Sequence, residues 1–205
     1  MKTTLQIFIV SFLSALMVTV SPSMTTAQDN VRAKIGIQVK SAGETTQAKA
    51  KARLKAGDKF RIYVIPEEDS YVYVVHTDQK RVTLVNSSTA QKKAEKSSLL
   101  VFPSANEFYQ VDGLSNLETI TVLCSPTELT DVLALLRSEG ASHSEWVAIE
   151  ETLIEKSKID LGGKPEKPFV IAGNVRGKDD PFLKKLQTFS GKSLVVNRYE
   201  FNVKK

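Results

Sequence analysis

The sequence predicts a mainly β fold, a β-sandwich or partly closed barrel carrying a two-helix insertion (α+β). Three observations predict it. Short runs rich in Val, Ile, Tyr and Phe recur along residues 31–124, separated by Gly, Pro, Asn and Asp turns. After Cys124 two Ser-x-x-Glu boxes precede apolar residues at helical spacing. Alternation then returns in Ser193–Val203.

The stretch Phe60–His76 anchors the reading. Phe60, Ile62 and Val64 face one way, and Arg61, Tyr63 and Ile65 the other. Tyr71, Tyr73 and Val75 oppose Val72, Val74 and His76. Both faces are largely apolar, which suits strands covered on both sides. The spacing predicts a central β-hairpin turning at Pro66–Ser70, with Glu67, Glu68 and Asp69 holding the turn in water.

The other elements follow in order. Val31–Lys40 alternates as a half-exposed strand near a sheet edge, blunted by its lysines. Ser41–Gln47 reads as a loop, Lys49–Leu54 as a short strand, and Ala56–Lys59 as a tight turn. Thr77–Lys80 is a second turn and Arg81–Val85 a strand. Asn86–Ser98 is a polar, basic loop; Leu99–Phe102 and Glu107–Val111 are short extended segments. Glu118–Cys124 has strong β propensity.

Ser125-Pro126-Thr127-Glu128 then reads as a capping box with proline at the first helical position. Leu129, Val132, Leu133 and Leu136 form the apolar stripe of that helix, and Gly140 its stop. Ser142–Glu145 opens a second helix through about Lys158, with Trp146, Ile149 and Leu153 inward. The insertion thus covers about residues 126–160. Gly162 and Gly163 end it, Pro165 and Pro168 mark a linker, and Phe169–Val175 returns to strand. Asp180–Phe189 is ambiguous, Ser193–Val203 closes the fold, and the first and last mature strands are expected to pair.

Residues 1–27 read as a signal peptide: Lys2 as a positive start, Leu5–Val20 as an apolar stretch, and Thr25-Thr26-Ala27 as a cleavage site before Gln28. A retained anchor is the alternative, against which the apolar stretch is short. Residues 28–205 then form one β-rich domain, exported to the periplasm or beyond, with no stable transmembrane span after cleavage. Cleavage removes Lys2 and no acid, so the formal charge falls from +5 to +4. The lysines and arginines are scattered without interleaved aromatics, which with an exported address argues against nucleic acid. Mild basicity fits attraction to anionic envelope polymers.

Cys124 is the single cysteine, so no intramolecular disulfide forms, and its apolar strand context predicts burial. His76 and His143 lack zinc-ligand spacing, and no cofactor motif is present, so neither metal nor cofactor is expected. No Gly-x-Ser-x-Gly elbow or Ser-x-x-Lys pair occurs. Gly191-Lys192-Ser193 resembles the end of a phosphate loop, but Leu186 stands where that loop needs glycine and a strand follows. Glu67-Glu68 and Glu150-Glu151 are adjacent carboxylate pairs that read as solvated. Tyr63, Tyr71, Tyr73, Phe108 and Tyr109 serve either a groove or the core, with Tyr109 the most exposed candidate.

Residues 54–129 resemble a family of bacterial envelope domains known as domain of unknown function 4384. The resemblance lies in Lys55-Ala56-Gly57-Asp58 before a β-run, in Asp69–Val75, in Arg81–Asn86, and in Gly113–Leu129 with its Cys124-Ser125-Pro126 step. Ser70 stands where the family has glycine, and the proline before Asn86 is missing. The family carries no assigned catalytic residues; its domains accompany enzymes or signalling modules, which implies a binding or adaptor role.

The expected function is therefore a non-enzymatic binding or adaptor module of the bacterial cell envelope, acting on an envelope protein or an anionic envelope polymer. Its candidate binding residues are Lys92, Lys93 and Lys96 in the basic loop, and Asn106 and Tyr109 in the following segment. The alternatives are a hydrolase using Cys124 or a carboxylate pair, and a structural subunit whose edge strand Val31–Lys40 accepts a partner strand.

Overall fold

The structure is a computed structural model that describes residues 30–137, 141–159 and 180–204. The leader, the helix stop at Gly140, the Pro165–Pro168 linker and the strand expected at Phe169–Val175 lie outside the described residues.

Among the described residues eleven strands form two sheets, not closed into a barrel, and two α-helices cover one of them. The strands are β1 (Val31–Ser41), β2 (Glu44–Gln47), β3 (Lys51–Lys55), β4 (Lys59–Pro66), β5 (Tyr71–Thr77), β6 (Val82–Leu84), β7 (Leu100–Phe102), β8 (Tyr109–Gln110), β9 (Leu117–Ser125), β10 (Gln187–Gly191) and β11 (Val195–Lys204). The helices are α1 (Thr130–Arg137) and α2 (His143–Ser157). The first sheet runs β10-β1-β4-β7, with β2 also beside β1 and β8 beside β4; the second runs β3-β11-β9-β5-β6. All pairs are antiparallel except β3 with β11.

Period-2 patterning places the core. The odd residues Val31–Val39 of β1 and Phe60, Ile62 and Val64 of β4 face Val72, Val74, Ile120, Val122, Cys124, Tyr199 and Phe201 across the gap between sheets. The opposite face of the second sheet, with Tyr73, Val75 and Leu123, packs on Val132, Leu133, Trp146 and Leu153 of the helices. Burial of each such side chain contributes about 1.5–3 kcal/mol. The two-faced apolar pattern of β5 and β9 thus reflects a sheet sandwiched between a second sheet and a helical layer.

The expected central hairpin is corrected. β4 and β5 lie in different sheets, so Pro66–Ser70 carries the chain across the sandwich. Each strand is interior in its own sheet, which is what their apolar faces reported. The turn is not simply solvated. Glu67 pairs with the Arg32 guanidinium at 3.2 Å, Glu68 accepts from the Arg32 N–H at 3.0 Å, and Asp69 accepts from the Lys96 N–H at 2.8 Å.

β1 is not an edge either. β4 flanks it on one side, and β10 and β2 on the other, so no row of free backbone groups awaits a partner strand there. The reading of β1 as an acceptor of a partner strand falls with this. The segment read as a loop contains β2, which returns on β1 through Ala42 and Gly43, both at positive φ (48° and 85°). Such a two-residue turn wants positive φ at both positions, and alanine at the first disguised it. β1 and β11, the first and last described strands, lie in facing sheets and do not pair.

The first capping box is corrected and the second holds. Ser125 ends β9, and α1 starts only at Thr130. Ser142 caps α2: its hydroxyl accepts from the Glu145 N–H, while the Glu145 carboxylate accepts from the Ser142 N–H at 3.0 Å. Glu150, read as solvated, is buried beneath α2. Its carboxylate accepts from the Thr121 hydroxyl and pairs with Arg198 at 3.0 Å, fastening the helix to β9 and β11.

Gly191-Lys192-Ser193 holds the other end of α2. The Lys192 N–H donates to the Ser157 carbonyl at 3.0 Å and the Ser193 hydroxyl to the Lys156 carbonyl at 2.9 Å, satisfying two carbonyls of the last turn. A Cβ on Gly191 would sit 1.9 Å from the Leu194 carbonyl oxygen, so only glycine fits. The glycine serves chain packing rather than a phosphate.

Candidate functional site

A cleft of about 410 Å³ opens between the sheets at the end where β4 begins. Its residues follow from the alternation that builds the core. On β5, Val72 and Val74 are followed on the inward row by His76; on β9, Ile120 and Val122 are preceded on the same row by Glu118. The core row therefore turns polar where the sandwich opens. Thr83 of β6 pairs with His76, and His76 pairs with Ile120, so these three line one cross-strand row of the second sheet. The first sheet supplies Phe60, Tyr109 and Gln110. Asp78, Asp112, Leu114 and Ser115 come from flanking loops.

Those loops are tied down. Asp78 accepts from the Lys80 and Arg81 N–H groups at 2.9 and 2.7 Å, closing the β5–β6 turn. Burial raises the Asp78 carboxyl, but these two N–H groups and nearby His76 together outweigh it and hold the pKa below the ordinary 3.8. The Ser115 hydroxyl lies 3.2 Å from the Asp78 carbonyl and 2.8 Å from that of Leu117, linking the loop before β9 to the β5–β6 turn. Asp112 accepts from the Leu114 N–H at 2.8 Å. Leu114 itself is 83% exposed at the mouth.

Within the cleft, His76 Nε2 lies 3.5 Å from Glu118 Oε2. The Glu118 residue is only 6% exposed. The imidazole carries a charge only when protonated. Tyr109 packs on Phe60 with ring centroids 5.4 Å apart, and burial, followed by the nearby Glu107 charge, pushes its phenol up to about 12. Among the described residues no lysine or arginine lines the cleft. Among the described residues no group of three or more His, Cys, Asp or Glu is arranged to hold a metal ion.

The expected binding residues are divided by the fold. Tyr109 lines the cleft, half-buried rather than open. Asn106 is exposed in the loop just before it, where the Arg61 guanidinium donates to the Glu107 carbonyl and sits 3.9 Å from the Phe108 ring centroid. Lys92, Lys93 and Lys96 are exposed at the other end of β4, in a loop bound to the inter-sheet crossing through Ser70–Ala94 and Ser97–Pro66 backbone bonds. Phe60 to Pro66 spans roughly 20 Å of strand, so the lysines and Tyr109 do not share a site. His76, Glu118, Asp78 and Asp112 are not among the binding residues expected from the sequence. The available signal was polar residues on the inward row of strands otherwise apolar there.

The nucleophile alternatives are placed away from the cleft. Cys124 is fully buried, and burial pushes its thiol up to about 12. His143 accepts or donates to the Thr77 hydroxyl at 3.0 Å on the helix side. Glu150 and Glu67 are engaged with arginines. Glu150 is buried while Glu151 is exposed, and none of Glu67, Glu68, Glu150 and Glu151 lines the cleft.

Comparison with protein-family models, with curated protein sequences and with solved structures finds no significant match. Among the described residues no helix is long and apolar enough to cross a membrane.

Proposed function

We propose that this protein is a non-enzymatic binding module of the bacterial cell envelope, exported by its leader, that holds a small ligand in the cleft between its sheets. The observation that carries the reading is the cleft itself. Its volume, about 410 Å³, falls in the range of small-molecule sites, and its lining combines an apolar floor with a few converging polar groups. Leu114 stands exposed at its mouth, where a ligand would cover it. The resemblance to an accessory envelope domain and the burial of the single thiol support binding over catalysis.

The basic loop supplies the adaptor half of this reading: Lys92, Lys93 and Lys96 face solvent at the far end and suit an anionic envelope polymer or protein. The two halves separate experimentally. A fragment set titrated into residues 28–205, followed by amide NMR shifts, should perturb Gln110, Asp112, Leu114 and Ser115 together. Replacing the three lysines by alanine should leave those shifts unchanged and weaken retention on an anionic polymer, with strong salt dependence. Fragment hits that all map away from the cleft would reject it as the site.

A further inference from the structure

We infer that the cleft selects an organic cation, an ammonium group carried on a small aromatic or aliphatic body; this inference rests on the cleft being a ligand site. The charge of the lining argues for it. Among the described residues, three carboxylates, those of Asp78, Asp112 and Glu118, meet one imidazole and no lysine or arginine, on a protein whose formal net charge is +5. The local field is opposite to the global one.

Glu118 is the discriminating group. Its side chain is 8% exposed and its ion-pair partner among the described residues is His76, at 3.5 Å. A carboxylate buried to that degree needs a cation, and imidazole supplies one only when protonated. A ligand ammonium completes the pair without that condition, and its N–H donors make charge-assisted hydrogen bonds that a neutral donor matches only weakly. The apolar body has its own place: Phe60 and Tyr109 form an aromatic wall at 5.4 Å centroid spacing, and Leu114 lies exposed at the rim. An anion would instead meet three like charges in a partly desolvated opening.

The test uses three ligands of matched shape and different charge: 2-phenylethylammonium, 2-phenylethanol and phenylacetate. Each is titrated by amide NMR into the protein at neutral pH. The ammonium should shift the cleft amides and bind at least about tenfold more tightly than the alcohol, the ratio expected for one hydrogen bond to a charged group. Phenylacetate should be the weakest. Glu118→Gln, nearly isosteric, should bring ammonium and alcohol to within about twofold. Should that variant fold poorly, Asp112→Asn at the exposed rim should reduce the ratio in the same direction. Equal or tighter binding of the alcohol or the acid in the cleft would overturn the cation assignment and leave the binding reading standing. No cleft shift with any of the three at about 10 mM, well above the ~1 mM constant of a weak fragment, would overturn both.

Discussion

His76 Nε2 and Glu118 Oε2 lie 3.5 Å apart on neighbouring strands, at the point where the inward rows of β5 and β9 leave the core. Both rows are apolar further in, from Val74 to Val72 and from Ile120 to Cys124. A sandwich with two covered faces has no structural need for an imidazole and a carboxylate in that row. Their placement marks the end at which the two sheets stop sealing each other.

Asp78 borders the same opening and makes part of the fold acid-sensitive. Its folded pKa lies below 3.8, so its charged form is favoured by folding. Its contribution is present above that ordinary value and is lost as pH falls through the lowered folded value. Asp78→Ala should cost about 1 kcal/mol at neutral pH by removing the turn bonds, and the gap to the parent should narrow below about pH 3.8. Urea midpoints at several pH values check this.

Asn86 substitutes for a missing strand. Its Oδ1 accepts from the Val74 N–H at 2.8 Å and its Nδ2 donates to the Val72 carbonyl at 2.8 Å, continuing the β5 ladder beyond the end of β6. It is buried. Asn86→Ala should lower stability by about 2–4 kcal/mol, since two backbone groups lose their partners. Asn86→Asp should keep only the bond from Val74. Because the other carboxylate oxygen then faces the Val72 carbonyl at a buried site, denaturant unfolding at neutral pH should rank aspartate as at least as damaging as alanine.

The clamp at the end of α2 gives an ordered pair of effects. Ser193→Ala removes one side-chain bond to the Lys156 carbonyl and should cost about 0.5–1.5 kcal/mol. Gly191→Ala forces a Cβ onto the Leu194 carbonyl and should cost more, about 1–3 kcal/mol or failure to fold. A reversed order would contradict the clamp.

Cys124 should be silent in the folded protein. With no exposure and its thiol raised to about 12, it should resist aromatic disulfide reagents at mildly alkaline pH and react fully in denaturant. Rapid labelling under native conditions would place the thiol elsewhere than between the sheets.

Much of the fold was legible because burial writes itself at period two. The alternation of Val31–Val39 and Ile120–Cys124 identified their strands, and the Ser142–Glu145 box identified the start of α2. What sequence did not show was partnership. The apolar faces of β4 and β5 look the same whether the strands pair with each other or cross between sheets, because both arrangements cover both faces. Ser125–Glu128 has the chemistry of a cap, yet pairing with Tyr71 of β5 takes Ser125 into β9 first. The cleft was hidden for a related reason. Glu118 looked like the polar start of a strand, and only the register beside His76 shows that it points between the sheets. The lysine loop and Tyr109 seemed close in sequence, and β4 separates them.

The most direct test of the cleft as the ligand site is to fill it. Thr83 is exposed on β6 with its side chain on the inward row beside His76, so Thr83→Trp places an indole in the opening without displacing a core residue. Binding of 2-phenylethylammonium to the parent and to this variant would be measured by calorimetric titration, with unfolding midpoints confirming that both are folded. The variant should fold, and its affinity should drop at least about tenfold, beyond ~1.4 kcal/mol. A folded variant with unchanged affinity would contradict this, and would place the ligand site outside the cleft.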